Sequence, residues 1–340
     1  MSVSGFFRGL AVAICAYLLG ILLIFAAAAA VFTFFTSKPS SIKAVLQNSG
    51  IYERLPNTIL DNYIKEQSVI DRDSVPLQQP EIRDSVNAAF SPQILRTNGE
   101  SLVDGVYHWL NGKTPQPSFS LDFTASKQTL ASGVGAYAEK RANDLPVCTL
   151  AQLRQLDTTK IQAFSADCLP PGVSASQVRA QVEREIMADQ EFLPEPVLTS
   201  ESLKDENGKP VFSTTSQELP NRFQQLKSLF WVLLGVCVLL AAGVVFLSTE
   251  KFKGLGRLGK ILVSSAVFIA LLPLSLGYLL PRAIEEAAGK TDNITSSVVL
   301  PVFAEFASAT ASIYYIFALI LSLIGIPLLV YAHRRKTLAQ

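Results

Sequence analysis

Four uncharged apolar runs constrain this chain more than any other feature of its 340 residues. The first, residues 10–35, reads LAVAICAYLLGILLIFAAAAAVFTFF. As a helix it would be about 39 Å long, enough to cross a hydrocarbon core of about 30 Å with some tilt. Three more follow at 229–248, 261–280 and 313–332, each free of Asp, Glu, Lys, Arg and His. Burying such runs in a soluble core would require most of the remaining chain, so the reading is a membrane protein, mainly α, with four transmembrane helices. A hydrophobic content of 49% and a mean hydropathy of +0.32 agree with it. A cleaved signal peptide is the competing account of the first run, because Arg8 precedes it and Ala26 to Ala30 offers small residues. The run outlasts the usual signal-peptide core, which favours an uncleaved anchor.

The cations of the short connections orient the threading. Arg8 lies in the 1–9 segment, Lys251, Lys253, Arg257 and Lys260 in the 249–260 loop, and Arg334, Arg335 and Lys336 in the 333–340 tail. All three segments fall on one side of a four-span chain, and positive connections belong in the cytoplasm. The expected location is therefore the cell membrane, multi-pass, with both termini cytoplasmic. Residues 37–226 hold 18 Lys and Arg against 23 Asp and Glu, a net of −5, and are expected as an extracytoplasmic domain inserted between helices 1 and 2. The 281–312 loop, with two basic and four acidic residues, joins that domain outside.

About 190 residues is an ordinary domain size, and the pattern of this block is mostly helical. Ser40 and Ser41 offer a cap for a short helix, and 51–67 carries apolar residues at Ile51, Leu55, Ile59 and Ile64, with Pro56 confining its start. Pro80 leads a helix to Phe90, and Ser91-Pro92 restarts one that Asn111-Gly112 stops. Residues 119–123 alternate as a short strand, and 124–143 reads as a helix weakened by Gly133 and Gly135. Thr149 looks like a cap for a short helix to Leu156, and Ser174 with Gln177 spells a capping box ahead of Val178, Val182 and Ile186. Residues 192–212 are expected as loop, with a hairpin signal at Asn207-Gly208. From Gln217 the chain climbs into the second span without a breaker after Pro220, a stiff link between domain and membrane.

The firmest local inference is a disulfide between Cys148 and Cys168, two thiols in an otherwise cysteine-free block expected in an oxidising space. Their spacing is not C-x-x-C, so a structural staple is favoured over redox chemistry. Cys15 and Cys237 lie in apolar runs and read as packing residues.

Other signals carry little. Gly254-Leu-Gly256-Arg-Leu-Gly259 spells a dinucleotide fingerprint, but no strand precedes it between two spans. Its glycines are expected to permit a tight turn, with the nearby cations on anionic lipid heads. His108, between Tyr107 and Trp109, has no companion ligands and reads as part of an aromatic cluster. Asp71 with Asp73, and Asp205 with Asn207, lack the later ligands of a calcium loop. Asn293-Ile-Thr295 is a formal glycosylation sequon. Neither a G-x-S-x-G nor an H-E-x-x-H sequence occurs. Spans without ionisable groups argue against proton-coupled transport and intramembrane proteolysis, whose chemistry needs polar groups at depth. Val298, Val299, Val302, Phe303 and Phe306 form an apolar face, interrupted by Pro301, that could lie on the membrane surface or dock on the main domain, with docking the favoured expectation.

Two resemblances attach to this layout. One span, a large outer domain and three further spans resemble the permease subunits of lipoprotein-exporting and cell-division ABC transporters, which work with a separate ATPase; residues 250–260 are short for their coupling segment. The chain is more similar to uncharacterised bacterial four-span membrane proteins with a large extracytoplasmic domain, on Tyr52-Glu-Arg-Leu55-Pro56, on Cys168-Leu-Pro170-Pro171 and on the glycine-rich entry to the third span. That family implies no activity. The expectation is a non-enzymatic protein with no catalytic residue, no cofactor and no metal. Its partners would be membrane lipids and, through residues 37–226, a protein or cell-envelope component; nucleic acid is not expected at a net charge of +1.

Overall fold

The computed structural model describes residues 3–66, 75–153, 163–189, 193, 195–203, 208, 212, 218–248, 250–288 and 295–338. Helix α1 (Val3–Val31) passes straight into a π-helical turn (Phe32–Thr36), closed by the Ser37 amide on the Phe32 carbonyl at 2.8 Å. Pro39, whose fixed φ suits a first helical position, opens α2 (Pro39–Asn48) after an extended Lys38. Ser40 and Ser41 lie inside that helix rather than capping it.

Helix α3 spans Ile51–Glu66 with Pro56 in its interior, not at its start. One proline in the second turn removes one hydrogen bond, a cost that packing of the flanking apolar residues can offset. Helix α4 is Pro80–Ala89 and α5 is Pro92–Leu110. Asn111 caps α5, and Gly112 takes the left-handed φ of 71° that ends it. Strand β1 (Ser120–Asp122), α6 (Thr124–Asp144), the short α7 (Leu150–Leu153), α8 (Ala175–Ala188) and β2 (Val197–Thr199) complete the polar domain. β1 and β2 pair antiparallel, with Leu121 opposite Leu198, so part of the stretch read as loop is a strand. Asn207, Leu156 and the other 154–162 positions lie outside the described residues.

Helix α6 is the centre of the domain. Ile82, Val134, Ala138, Val178 and Val182 form a core with α4 on one side of it and α8 on the other. A β-carbon on Gly133 would sit 2.2 Å from Ser85 Oγ, and one on Gly135 would sit 2.7 Å from Glu183 Cγ. The residues that weaken this helix are the ones that let both neighbours approach it. The capping box starts α8 as expected: Gln177 N donates to Ser174 Oγ at 3.3 Å, and Ser174 N to Gln177 Oε1 at 2.9 Å. Cys148 and Cys168 are bonded, S–S 2.05 Å, beside a parallel bridge in which the Cys148 amide donates to the Leu169 carbonyl at 2.9 Å.

Helices α9 (Glu218–Leu247), α10 (Lys251–Ala288) and α11 (Leu300–Leu338) join α1 in a bundle. These four are long and apolar enough to cross a membrane. Their inner faces bury Leu19, Leu23, Ala27, Val244 and Ile269. Their outer faces leave Tyr17, Leu239, Phe246 and Leu323 more than 60% exposed, which in water would be a costly apolar belt. The 249–260 stretch is not a loop. Only residues 248–250 separate α9 from α10, and the glycine motif forms the first turns of α10. Gly254 faces Ser248 and Val245 across that link, at 3.0 Å for an added β-carbon, while Gly259 faces the backbone of α11. Close helix approach, not turn geometry, accounts for Gly259. Likewise α10 runs past residue 280, and α11 begins thirteen residues before Ile313 with a π-helical turn (Thr295–Val299) ahead of it, so the 281–312 connection is largely helical.

The domain is bolted to the bundle in two places. At the first, Tyr107 Oη donates to the Thr36 carbonyl, Phe223 packs against both Phe32 and Tyr107 with ring centroids at 5.4 and 6.0 Å, and Lys227 Nζ donates to Asn111 Oδ1 at 3.1 Å. The continuous α9 that the sequence leads one to expect carries both Phe223 and Lys227. At the second, the first turns of α11 reach α2 and the π-helical turn before them reaches α3: Asn48 Nδ2 donates to Glu305 Oε1 at 3.3 Å, and Ser297 Oγ to Thr58 Oγ1 at 3.3 Å. Of the face from Val298 to Phe306, Val298 is buried and Phe306 packs at 5.7 Å on Phe35, at the end of the first apolar run and not on the polar domain, while Phe303 stays exposed.

Candidate functional site

The polar domain contains an apolar cavity of about 470 Å³. Most of its wall is built from helix stripes, with Val75 and Leu77 of the chain ahead of α4 completing it. Leu55, Ile59 and Tyr63 recur every four residues on α3, as do Ile82, Val86 and Phe90 from α4 onward, and Leu130 with Val134 on α6. In an α-helix that spacing places side chains on one face. Leu95 of α5 and Ile186 of α8 close the remaining sides. The stripes converge without meeting.

The floor and the mouth differ in character. Ile82 and Val134 are 0% and 2% exposed, whereas Ile59 and Tyr63 are 53% and 50% exposed. Asp189 is the one ionisable carboxylate of the lining, at the exposed end of α8. Pro56 lies in the wall, where its missing N–H leaves no donor to satisfy. Nearby, Tyr52 packs its ring against Gly99, its hydroxyl is buried without a hydrogen-bond partner, and burial pushes the phenol above its ordinary range.

Lys127 sets the position of the α8 wall. Its side chain comes from α6, is 4% exposed, and donates from Nζ to the carbonyls of Asp189 and Leu193, both at 3.0 Å. A buried ammonium is tolerated there because the C-terminal end of a helix presents unpaired carbonyls and partial negative charge. Replacing Lys127 by Met is expected to lower domain stability by about 2 kcal/mol, since two part-buried hydrogen bonds from a charged donor are lost. Urea unfolding checks the figure, and protease cleavage next to Asp189 should rise with it.

The residues singled out in the sequence fall elsewhere. The disulfide closes a loop whose Ala163 and Phe164 pack on the α6 and α8 core, as do Leu169 and Val173 just beyond it, but neither cysteine lines the cavity. The aromatic cluster near His108 exists without the histidine: Tyr107 and Trp109 are buried, His108 is exposed, and Trp109 and Phe119 each meet Phe212 at 6.1 and 6.0 Å. Asp71, Asp73, Asp205, Asn207 and Asn293 lie outside the described residues. Among the described residues no three carboxylate, imidazole or thiol groups come together. The Tyr-x-x-Leu-Pro motif does reach the site, because Leu55 and Pro56 are wall residues.

Comparison with protein-family models, curated proteins and solved structures finds no match to the chain.

Proposed function

We propose that this chain is an integral membrane binding protein without catalysis of its own, whose polar domain lies outside the cytoplasm and holds an envelope component in its apolar cavity. The cavity carries the reading. A void of about 470 Å³ walled by five helices forgoes contacts that a packed core would make, and pockets of a few hundred Å³ with apolar walls and a polar mouth are the common form of a ligand site. The placement outside rests on the excess of Lys and Arg at the ends of the four apolar helices nearest Arg8, Lys251 and Arg334, and on the net −5 of residues 37–226. The family resemblance to four-span bacterial membrane proteins agrees with this layout.

A permease subunit driven by a separate ATPase is the second reading. The three-residue link from α9 to α10 weighs against it, because it leaves no separate segment to engage an ATPase.

A photo-crosslinking residue in place of Leu130, on the cavity wall, tests the proposal in living cells. The expected result is a covalent adduct that the same residue at exposed Leu150 does not give. Equal labelling at both positions would overturn the reading.

A further inference from the structure

Resting on that reading of the cavity, we infer that its ligand is a single-chain lipid, with the acyl chain inside and the head group at the mouth beside Tyr63 and Asp189. Size comes first. At an interior packing density of about 0.75, a volume of about 470 Å³ accommodates roughly 20 methylene groups of about 17 Å³ each, one chain of about 16 to 18 carbons and not two. A two-turn helix about 10 Å in diameter needs roughly 850 Å³, so a partner's helix could meet the open mouth with its side chains but could not lie inside. An extended peptide does not fit chemically. Its N–H and C=O groups would have to be paired once buried, and the walls are side-chain stripes of five helices, aliphatic except for Phe90 and the mouth residues.

The distribution of polarity points the same way. The deep wall, Ile82, Val134 and Leu60, is closed and hydrocarbon, while the phenol of Tyr63 and the carboxylate of Asp189 sit where the cavity opens. That gradient matches an amphiphile that enters tail first. The π-helical turn ahead of α11 also touches α3 one residue from this wall, where Ser297 bonds Thr58 beside Ile59, so the cavity wall is joined through that turn to a helix of the bundle. About 24 Å of helix separates Ser297 from Ile313, where the uncharged run begins. A monoacyl lipid, unlike a diacyl one, leaves a bilayer readily enough to be carried that far.

The test uses the full chain in phospholipid nanodiscs and a C16 fatty acid bearing a terminal diazirine. Photolysis followed by peptide mapping should place saturable adducts on α3, α4 and α6 as well as unsaturable ones on the outer faces of α9 and α11. Val86→Trp or Leu130→Trp, which fill the cavity, should reduce the first set at least tenfold and leave the second unchanged. The membrane-face adducts report that probe and protein are intact. Competition by palmitate or by a palmitoyl lysophospholipid identifies the source of the chain, and displacement by either supports the inference. Adducts confined to the membrane faces, cavity labelling indifferent to both tryptophans, or displacement only by an N-palmitoylated peptide would overturn it. If it fails while the Leu130 crosslink in cells still yields an adduct, the cavity remains the binding site and only the ligand class is wrong.

Discussion

Replacing Gly259 by Leu is expected to separate α10 from α11 and to lower the stability of the bundle by about 3 kcal/mol. A β-carbon at Gly259 would lie 2.8 Å from the Gly325 carbonyl oxygen and 3.1 Å from the Leu329 amide nitrogen. Both obstacles are backbone, so no rotamer change relieves the contact. Gly325 answers from the other helix, with its own β-carbon position 3.1 Å from the Gly259 oxygen and 2.9 Å from Val263 Cγ2. The two helices therefore touch backbone to backbone at one crossing, the arrangement by which membrane helices gain van der Waals contact where apolar burial gives no advantage over lipid. Gly235 on α9 has nothing within 4 Å of the same position and serves as the control. Thermal unfolding followed by size-exclusion chromatography should show Gly259→Leu well below the parent and Gly235→Ala at or slightly above it. Equal midpoints for the two variants would mean that the crossing is looser than described.

Removing the disulfide, Cys148→Ser with Cys168→Ser, should cost the polar domain about 3 kcal/mol, the value the chain-entropy account gives for a loop of 20 residues. The loop has few other anchors among the described residues. The Val147 to Leu169 bridge and the hydrogen bond from Arg141 to the Ala166 carbonyl at 3.0 Å lie at its ends. Because Ala163 and Phe164 of the loop pack on the α6 and α8 core, a loosened loop also uncovers part of that core. Urea unfolding read at Trp109 should shift by that amount, and the parent treated with a reductant should follow the double variant. A midpoint unchanged in both would reduce the bridge to a bystander.

What could be read from the sequence was what depends on composition and local periodicity. Charge-free runs of 20 or more residues announce the four long helices, and Ser174 with Gln177, Pro92 and Asn111-Gly112 mark ends that the structure keeps. The misreadings share one cause. Gly254 to Gly259 reads as a turn because glycine is a breaker in isolation, yet close packing of Gly254 on Val245 and Ser248, and of Gly256 and Gly259 on α11, outweighs a propensity cost of about 1 kcal/mol per residue. Gly133 and Gly135 behave the same way within α6. Pro56 reads as a boundary, but it is embedded in a wall of apolar neighbours. β2 was missed because its partner lies 77 positions away at β1, beyond any local pattern. The cavity itself has no sequence signature: each of its stripes reads as an ordinary core face, and only their failure to converge makes a site. Lys127 was equally hidden, since its two acceptors are backbone carbonyls of a distant helix end.

The proposed function requires a chain threaded four times with its cavity-bearing domain outside. Cysteine scanning with a membrane-impermeant maleimide reads this directly in intact cells, in a background where Cys15 and Cys237 are Ala and the Cys148–Cys168 bridge is kept. Lys113→Cys, on the exposed connection after α5, should label without permeabilisation, and Lys253→Cys, at the start of α10, only after it. The reverse pattern would put the domain in the cytoplasm and contradict the proposed function at its root.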